Sequence, residues 1–171
     1  MRNRAMMKNL FIIVTVILMG VAVHAGDSSW LSFDAGLEKA KEEKKPVLVD
    51  FYTDWCHWCK VMDEKTFNEK NVKAKLEKHF VTVRINAEDQ SEQATYKGNT
   101  YNNVQLSRAF GVTGYPTIGF LEHDGDLIDT ISGYIPAETF IHILTYIEEK
   151  MYDQKMPFQE FLKLQEEKSK E

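Results

Sequence analysis

The run Val47-Leu48-Val49-Asp50-Phe51-Tyr52 is β-branched and aromatic, with no alternation of apolar and polar positions. A strand of that kind is covered on both faces, which requires helices on either side of a sheet. The neighbouring segments agree. Asp34 to Lys45 is rich in helix formers, with Asp34 or Ser32 placed to cap it, and Pro46 ends it before the strand begins. On the other side the strand runs straight into Thr53-Asp54-Trp55-Cys56.

Further elements follow at regular intervals. Cys56 to Phe67 reads as helix, and Asn68 to His79 as a second helical piece in which Val72, Leu76 and Phe80 recur every four residues. Val81 to Ile85 is the next strand. Ser91 to Asn103 holds no Val, Ile, Leu or Phe and reads as a polar excursion, followed by a short helix from Val104 to Phe110. Strands over Thr117 to Glu122 and Leu127 to Ser132 flank an Asp124-Gly125 turn and predict a hairpin. In the last long helix Phe140, Leu144, Ile147 and Met151 make one apolar stripe; Pro157 starts a short extra helix, with fraying expected from Gln165. The order predicts an α/β sandwich, its strands parallel up to the third helix and antiparallel in the hairpin after it.

Residues 1–25 stand apart. Arg2, Arg4 and Lys8 precede an uncharged stretch from Leu10 to Val23, and Val23-His24-Ala25 has the small-residue spacing of a signal-peptidase site. The stretch is 14 residues long, short of the roughly 20 that cross a bilayer. A cleaved leader is therefore expected, with membrane contact only through it if it is kept. Beyond residue 25 lie 146 residues carrying 18 basic and 26 acidic side chains, a net charge of −8. Such a surface disfavours nucleic acid and anionic lipid as partners. The divisions expected are a leader over 1–25, one domain over 26–152 and a helical extension over 153–171.

Cys56 and Cys59 are the two cysteines of the chain. A Cys-x-x-Cys where a buried strand turns into a helix is a redox signal. The spacing puts both sulfurs on one face, one turn apart, and the free amides of the first turn favour a thiolate on Cys56. Cys56 is read as the nucleophile and Cys59 as the buried resolving thiol. A purely structural bridge would close a ring of four residues, contributing about 2 kcal/mol against about 4.7 kcal/mol for a 100-residue loop. A domain of this size buries enough surface to fold without it. A metal site would have to recruit His57, His79, His123 or His142 without a second paired motif. Exchange chemistry needs neither metal nor organic cofactor.

Val49 to Lys60, with Gly114-Tyr115-Pro116-Thr117, resembles the active-site strand and cis-proline loop of the thioredoxin family. Cys59 to Val72 and Gly133-Tyr134-Ile135-Pro136-Ala137-Glu138-Thr139-Phe140 are more like the periplasmic C-terminal domain of DsbD-type thiol:disulfide interchange proteins. The resemblance covers roughly Phe33 to Tyr146. It implies a thioredoxin fold, a central mixed β-sheet flanked by helices, here with a short extra C-terminal helix. It also implies an exported, periplasmic, monomeric protein-disulfide oxidoreductase whose partners are protein thiols or disulfides and a separate electron donor or acceptor protein.

By the same resemblance Asp50 matches a buried aspartate that helps deprotonate the resolving cysteine. Physically, an ionisable group inside an apolar strand is costly unless it has a task, and burial raises its pKa toward neutrality; the plain alternative is a cap for the following turn. Pro116 is the expected cis-proline, leaving the Tyr115 backbone free to pair with an extended partner segment. Trp55, His57, Trp58, Tyr115 and Pro116 are the expected substrate-binding residues, with Trp55 either shielding the thiols or lying in the core. Arg84 aligns with a lysine of many thioredoxins and receives little weight. His57-Trp58 departs from the family's Gly-Pro dipeptide, so the potential does not carry over; known pairs run from about −270 to about −120 mV. A protonated His57 would favour the thiolate and a more oxidising pair. Reduction is the expected direction; the alternatives are an oxidase- or isomerase-type use of the same pair and, from a different class, a non-catalytic peptide-binding module. Tyr96 and Tyr101, in the polar excursion, are candidates for partner selection.

Overall fold

The computed structural model describes residues 30–168. The expected leader lies outside the described residues. Six helices surround a four-stranded sheet and a separate hairpin among those residues. In chain order they are α1 (Phe33–Glu43), β1 (Val47–Tyr52), α2 (His57–Met62), a π-helical turn (Asp63–Phe67), α3 (Lys70–His79), β2 (Val81–Asn86), β3 (Gln93–Tyr96) and β4 (Asn99–Asn102). There follow α4 (Asn103–Ala109), β5 (Thr117–Leu121), β6 (Leu127–Ser132), α5 (Ala137–Glu148) and α6 (Phe158–Lys168).

The sheet order is β2-β1-β5-β6. β1 and β2 are parallel, while β5 runs antiparallel to β1 and to β6, as the element order predicts. β1 is central and buried from Val47 to Phe51 because its two faces feed different cores. Leu48 packs with Met62, Phe67, Leu76, Phe140 and Leu144 on one side. Val47, Val49 and Phe51 pack with Phe33, Ala40, Leu106 and Phe110 on the other. That placement carries Asp50 into the sheet and delivers Cys56 to its carboxyl edge.

Four local expectations change. Ser32 occupies the N-cap of α1 without a side-chain bond, and Asp34 Oδ1 instead accepts the Thr95 amide at 2.7 Å. The helix expected from Cys56 to Phe67 is divided, its last turn widening to π geometry so that Thr66 and Phe67 both face inward. Met151 falls beyond the end of α5, where Ile143 completes the buried stripe. α6 stays helical through Lys168, past the expected fraying point, with Phe161 buried against Tyr146.

The polar excursion is a hairpin. Lys97 (φ 48°) and Gly98 (φ 79°) form its two-residue turn, both at positive φ, as a turn matched to strand twist requires. Ala94 is buried, and the Tyr96 ring lies 4.9 Å from that of Phe110 and 5.7 Å from that of Phe33. Lys97 Nζ lies 3.1 Å from Asp126 Oδ1 in the β5–β6 turn, so the tip sits at the end of the sheet opposite Cys56. Tyr96 and Tyr101 pack against the second core, so the structure gives neither a place beside the cysteines.

Candidate active site

The strand-to-helix junction places the cysteines. The Cys56 amide donates to Thr53 O at 3.1 Å as the chain leaves β1, and Cys56 becomes the N-cap of α2. Its Sγ accepts the Cys59 amide at 3.0 Å. This is the bond that would stabilise a thiolate at Cys56. The two sulfurs form a disulfide, S–S 2.08 Å, with Cα atoms 5.3 Å apart. Cys56 is 3% and Cys59 5% exposed.

Behind them Asp50 is 2% exposed. Its Oδ2 accepts from Arg84 Nε at 2.9 Å, while Oδ1 is buried without a partner in the structure. Burial pushes its pKa up to about 6; the Arg84 guanidinium opposes the rise and the Asp63 carboxylate adds to it. Asp50 caps no turn. Arg84, given little weight from sequence, is the hub of this cluster. It pairs with Asp50 and with Asp63 at once, and its guanidinium lies 4.2 Å from the Trp30 ring centre and 5.4 Å from that of Tyr52. β2 lies beside β1 with Arg84 opposite Asp50 in register. Asp63 enters because it stands four residues after Cys59, one turn along; that spacing was the available sequence signal.

The rim is aromatic. Trp55 is 67% exposed, which removes the core alternative, and its Nε1 donates to Glu88 Oε2 at 2.9 Å. Its ring stands edge-on 6.0 Å from Tyr115. The Tyr115–Pro116 peptide is cis, and Thr117 Oγ1 donates to Gly114 O at 2.8 Å across that turn. Trp58 is 54% exposed, with the His57 ring 5.7 Å away and the Tyr134 ring 5.4 Å away. The structure therefore gathers Trp55, His57, Trp58, Tyr115 and Pro116 with the two cysteines. Glu88 and Tyr134 join them unassigned from sequence, although Tyr134 sits within the Gly-Tyr-Ile-Pro segment of the resemblance. Beside Tyr115 a polar cleft of about 430 Å³ is lined by Glu88, Gln90, Ser107 and Arg108. Among the described residues no three His, Cys, Asp or Glu side chains converge as metal ligands would.

A thioredoxin-like domain profile matches residues 33–148. The thiol:disulfide interchange protein DsbD of Vibrio vulnificus is 36% identical over 107 residues, 61% of this chain and 16% of that protein. Its Vibrio cholerae counterpart is 34% identical over 113 residues, 65% of this chain and 17% of that protein. The chain thus spans about a sixth of the length of these curated relatives. Among solved structures, the reduced C-terminal domain of Neisseria meningitidis DsbD aligns with a TM-score of 0.50 at 26% identity, covering 65% of this chain and 90% of that one. A DsbH oxidoreductase aligns with a TM-score of 0.58 at 21% identity, covering 75% and 89%, a likeness that bears on the fold alone.

Proposed function

The chain belongs to the thioredoxin-like family, and from that premise we propose that it is an exported thiol–disulfide oxidoreductase, working as a reductase of protein disulfides. The observation that carries this reading is the Cys56–Cys59 disulfide at the start of α2, with the Cys59 amide on Cys56 Sγ. The match to proteins named for thiol:disulfide interchange supports it.

In the reduced chain the Cys56 thiolate attacks one sulfur of a substrate disulfide. That S–S bond breaks, a Cys56–substrate disulfide forms, and the second substrate sulfur leaves as thiolate. Cys59, deprotonated by Asp50, then attacks Cys56 Sγ, closing the Cys56–Cys59 bond and releasing the remaining substrate thiolate. Two electrons pass to the substrate. The protons lost by Cys56 and Cys59 end on its sulfurs, that of Cys59 by way of Asp50. Two electrons must then be returned to the disulfide, a role we assign to a separate electron-donor protein. A substrate segment lies along Tyr115 and Pro116, beside Trp55, His57 and Trp58. The working unit is a monomer over 26–152 with its extension over 153–171, delivered to the periplasm by the leader. Among the described residues no helix is long and apolar enough to cross a membrane.

With dithiothreitol as electron source the wild-type chain is expected to reduce insulin and Cys56→Ser to remain at background. Equal rates would make the chain a binding module without turnover. Equilibration with glutathione is expected to give a potential below about −200 mV, whereas a value near −120 mV would make it an oxidant. A mature amino terminus at Gly26, read by mass spectrometry of the secreted protein, tests the leader.

A further inference from the structure

We infer that Trp58 and Tyr134 form a preorganised aromatic shelf that selects substrates with a large apolar side chain next to the reacting cysteine, and that Thr66 is a positioning residue holding it. The inference rests on the exchange reading above and names the substrate class of that same site.

The two rings come from different elements, the first turn of α2 and the loop between β6 and α5, yet they lie 5.4 Å apart and tilted by 34°. The loop is tied on both sides of Tyr134. The Gly133 amide donates to Pro116 O at 2.8 Å, with Gly133 at φ +96°, a conformation suited to glycine. Fully buried Thr66, in the π-helical turn, donates its hydroxyl to Ile135 O at 2.6 Å, and Ile135 itself is buried. Tyr134 is thus pinned between the proline loop and the continuation of the cysteine-bearing helix.

Trp58 nonetheless leaves 54% of its surface in water. Paired, anchored Trp and Tyr rings present apolar area with little freedom left to lose, the property of residues that dominate interfaces. Occupancy follows from the chemistry. A substrate sulfur must come within bonding distance of Cys56 Sγ, and Trp58, exposed in the first turn of the helix that Cys56 caps, is the large apolar surface that α2 offers a residue flanking it. Trp55, on the other side of Cys56 in sequence, differs: its indole is committed to Glu88, which lines the polar cleft with Gln90 and Arg108. The Trp58 side is the apolar side.

The test uses the full chain and two disulfide-bonded peptides that differ only in Leu or Ser beside the cysteine. Wild type is expected to favour the Leu peptide in kcat/KM by about tenfold, as burial of one apolar side chain predicts. In Tyr134→Ala that ratio falls toward one, and in Tyr134→Phe it returns. Thr66→Val raises KM for the Leu peptide more than it lowers kcat, and Thr66→Ser restores it. A wild-type ratio near one, or an unchanged ratio in Tyr134→Ala, overturns the shelf; should Tyr134→Ala not fold, Tyr134→Gln is read in its place. Turnover of neither peptide by wild type is failure of the exchange reading, which the Ser peptide reports separately.

Discussion

Asp50 concentrates the opposing demands on this fold. Its carboxyl is held near pKa 6 by burial, with Arg84 opposing and Asp63 reinforcing the rise, against about 3.9 in the unfolded chain. Between those values the folded state binds the extra proton, so the contribution of Asp50 to stability falls as pH rises from about 4 to about 6 and is flat above. Removing the charge with Asp50→Asn is therefore expected to stabilise the oxidised protein by about 2–3 kcal/mol at pH 7 and by little at pH 4. Urea unfolding of both proteins at the two pH values checks this, and a difference that does not grow with pH counts against it. The same substitution is expected to slow exchange by roughly 100-fold or more, in line with the loss of a positioned acid–base group. Arg84→Met withdraws the cation but leaves burial and Asp63, so the carboxyl titrates higher still. The acid limb of the pH–rate profile should move to higher pH; a limb that stays in place would show that Asp50 does not set it.

At the scale of elements, packing against the sheet decides what is tolerated. Gly36 in α1 faces β2, where an added Cβ would meet Val83 Cγ2 at 2.1 Å. Gly36→Ala is expected to lower stability by about 1–3 kcal/mol through overpacking, despite alanine's better helix propensity, as a thermal or urea midpoint will show. Much of this layer was legible in sequence. β1 announces itself by lacking alternation, and α5 by its apolar spacing, because both patterns are set by burial. The β3–β4 hairpin hid because its buried contacts are made by Ala94 and Tyr96, not by aliphatic residues, and because its turn is Lys-Gly, not Asn-Gly. The cysteines and the residues beside them in sequence were readable for the same local reason. Arg84 was noted but given too little weight and Asp63 was marked only by its spacing four residues after Cys59, while Glu88 and Tyr134 carried no local signal, since the loops after β2 and before α5 bring them to the site. The hairpin makes its own prediction. Tyr96→Ala empties a place between Phe33 and Phe110 and should cost about 3 kcal/mol. Because the tip lies at the far end of the sheet, exchange rates under native conditions should be unchanged; a loss of rate with the fold intact would return the hairpin to the site.

Across the whole molecule the two ends of α5 serve different purposes. Its start follows the loop that carries Tyr134, whereas Tyr146, nine positions on from Ala137, receives Phe158 and Phe161 of α6 at ring distances of 5.5 Å. At 1.5 Å per residue that separates them by roughly 13 Å along the axis. Phe161 is fully buried there, and Phe158 with Tyr152 closes an apolar groove of about 470 Å³ over Phe120 and Ile147. Residues 149–168 lie past the matched family domain, so this packing is an addition at the pole away from the cysteines. Deleting residues 153–171 removes Phe158 and Phe161 and leaves the Tyr146 face and the groove open to water. The expected loss is about 2–4 kcal/mol, the size of one buried aromatic side chain, less the chain entropy no longer spent on ordering α6. Both cysteines, Asp50, Arg84 and the aromatic rim keep their surroundings, so kcat/KM for a disulfide peptide should match the full chain at temperatures well below the lowered midpoint. A truncated protein that folds with an unchanged midpoint would mean α6 adds no stability. One that keeps its midpoint but loses exchange would mean the extension reaches the site through a partner-binding role.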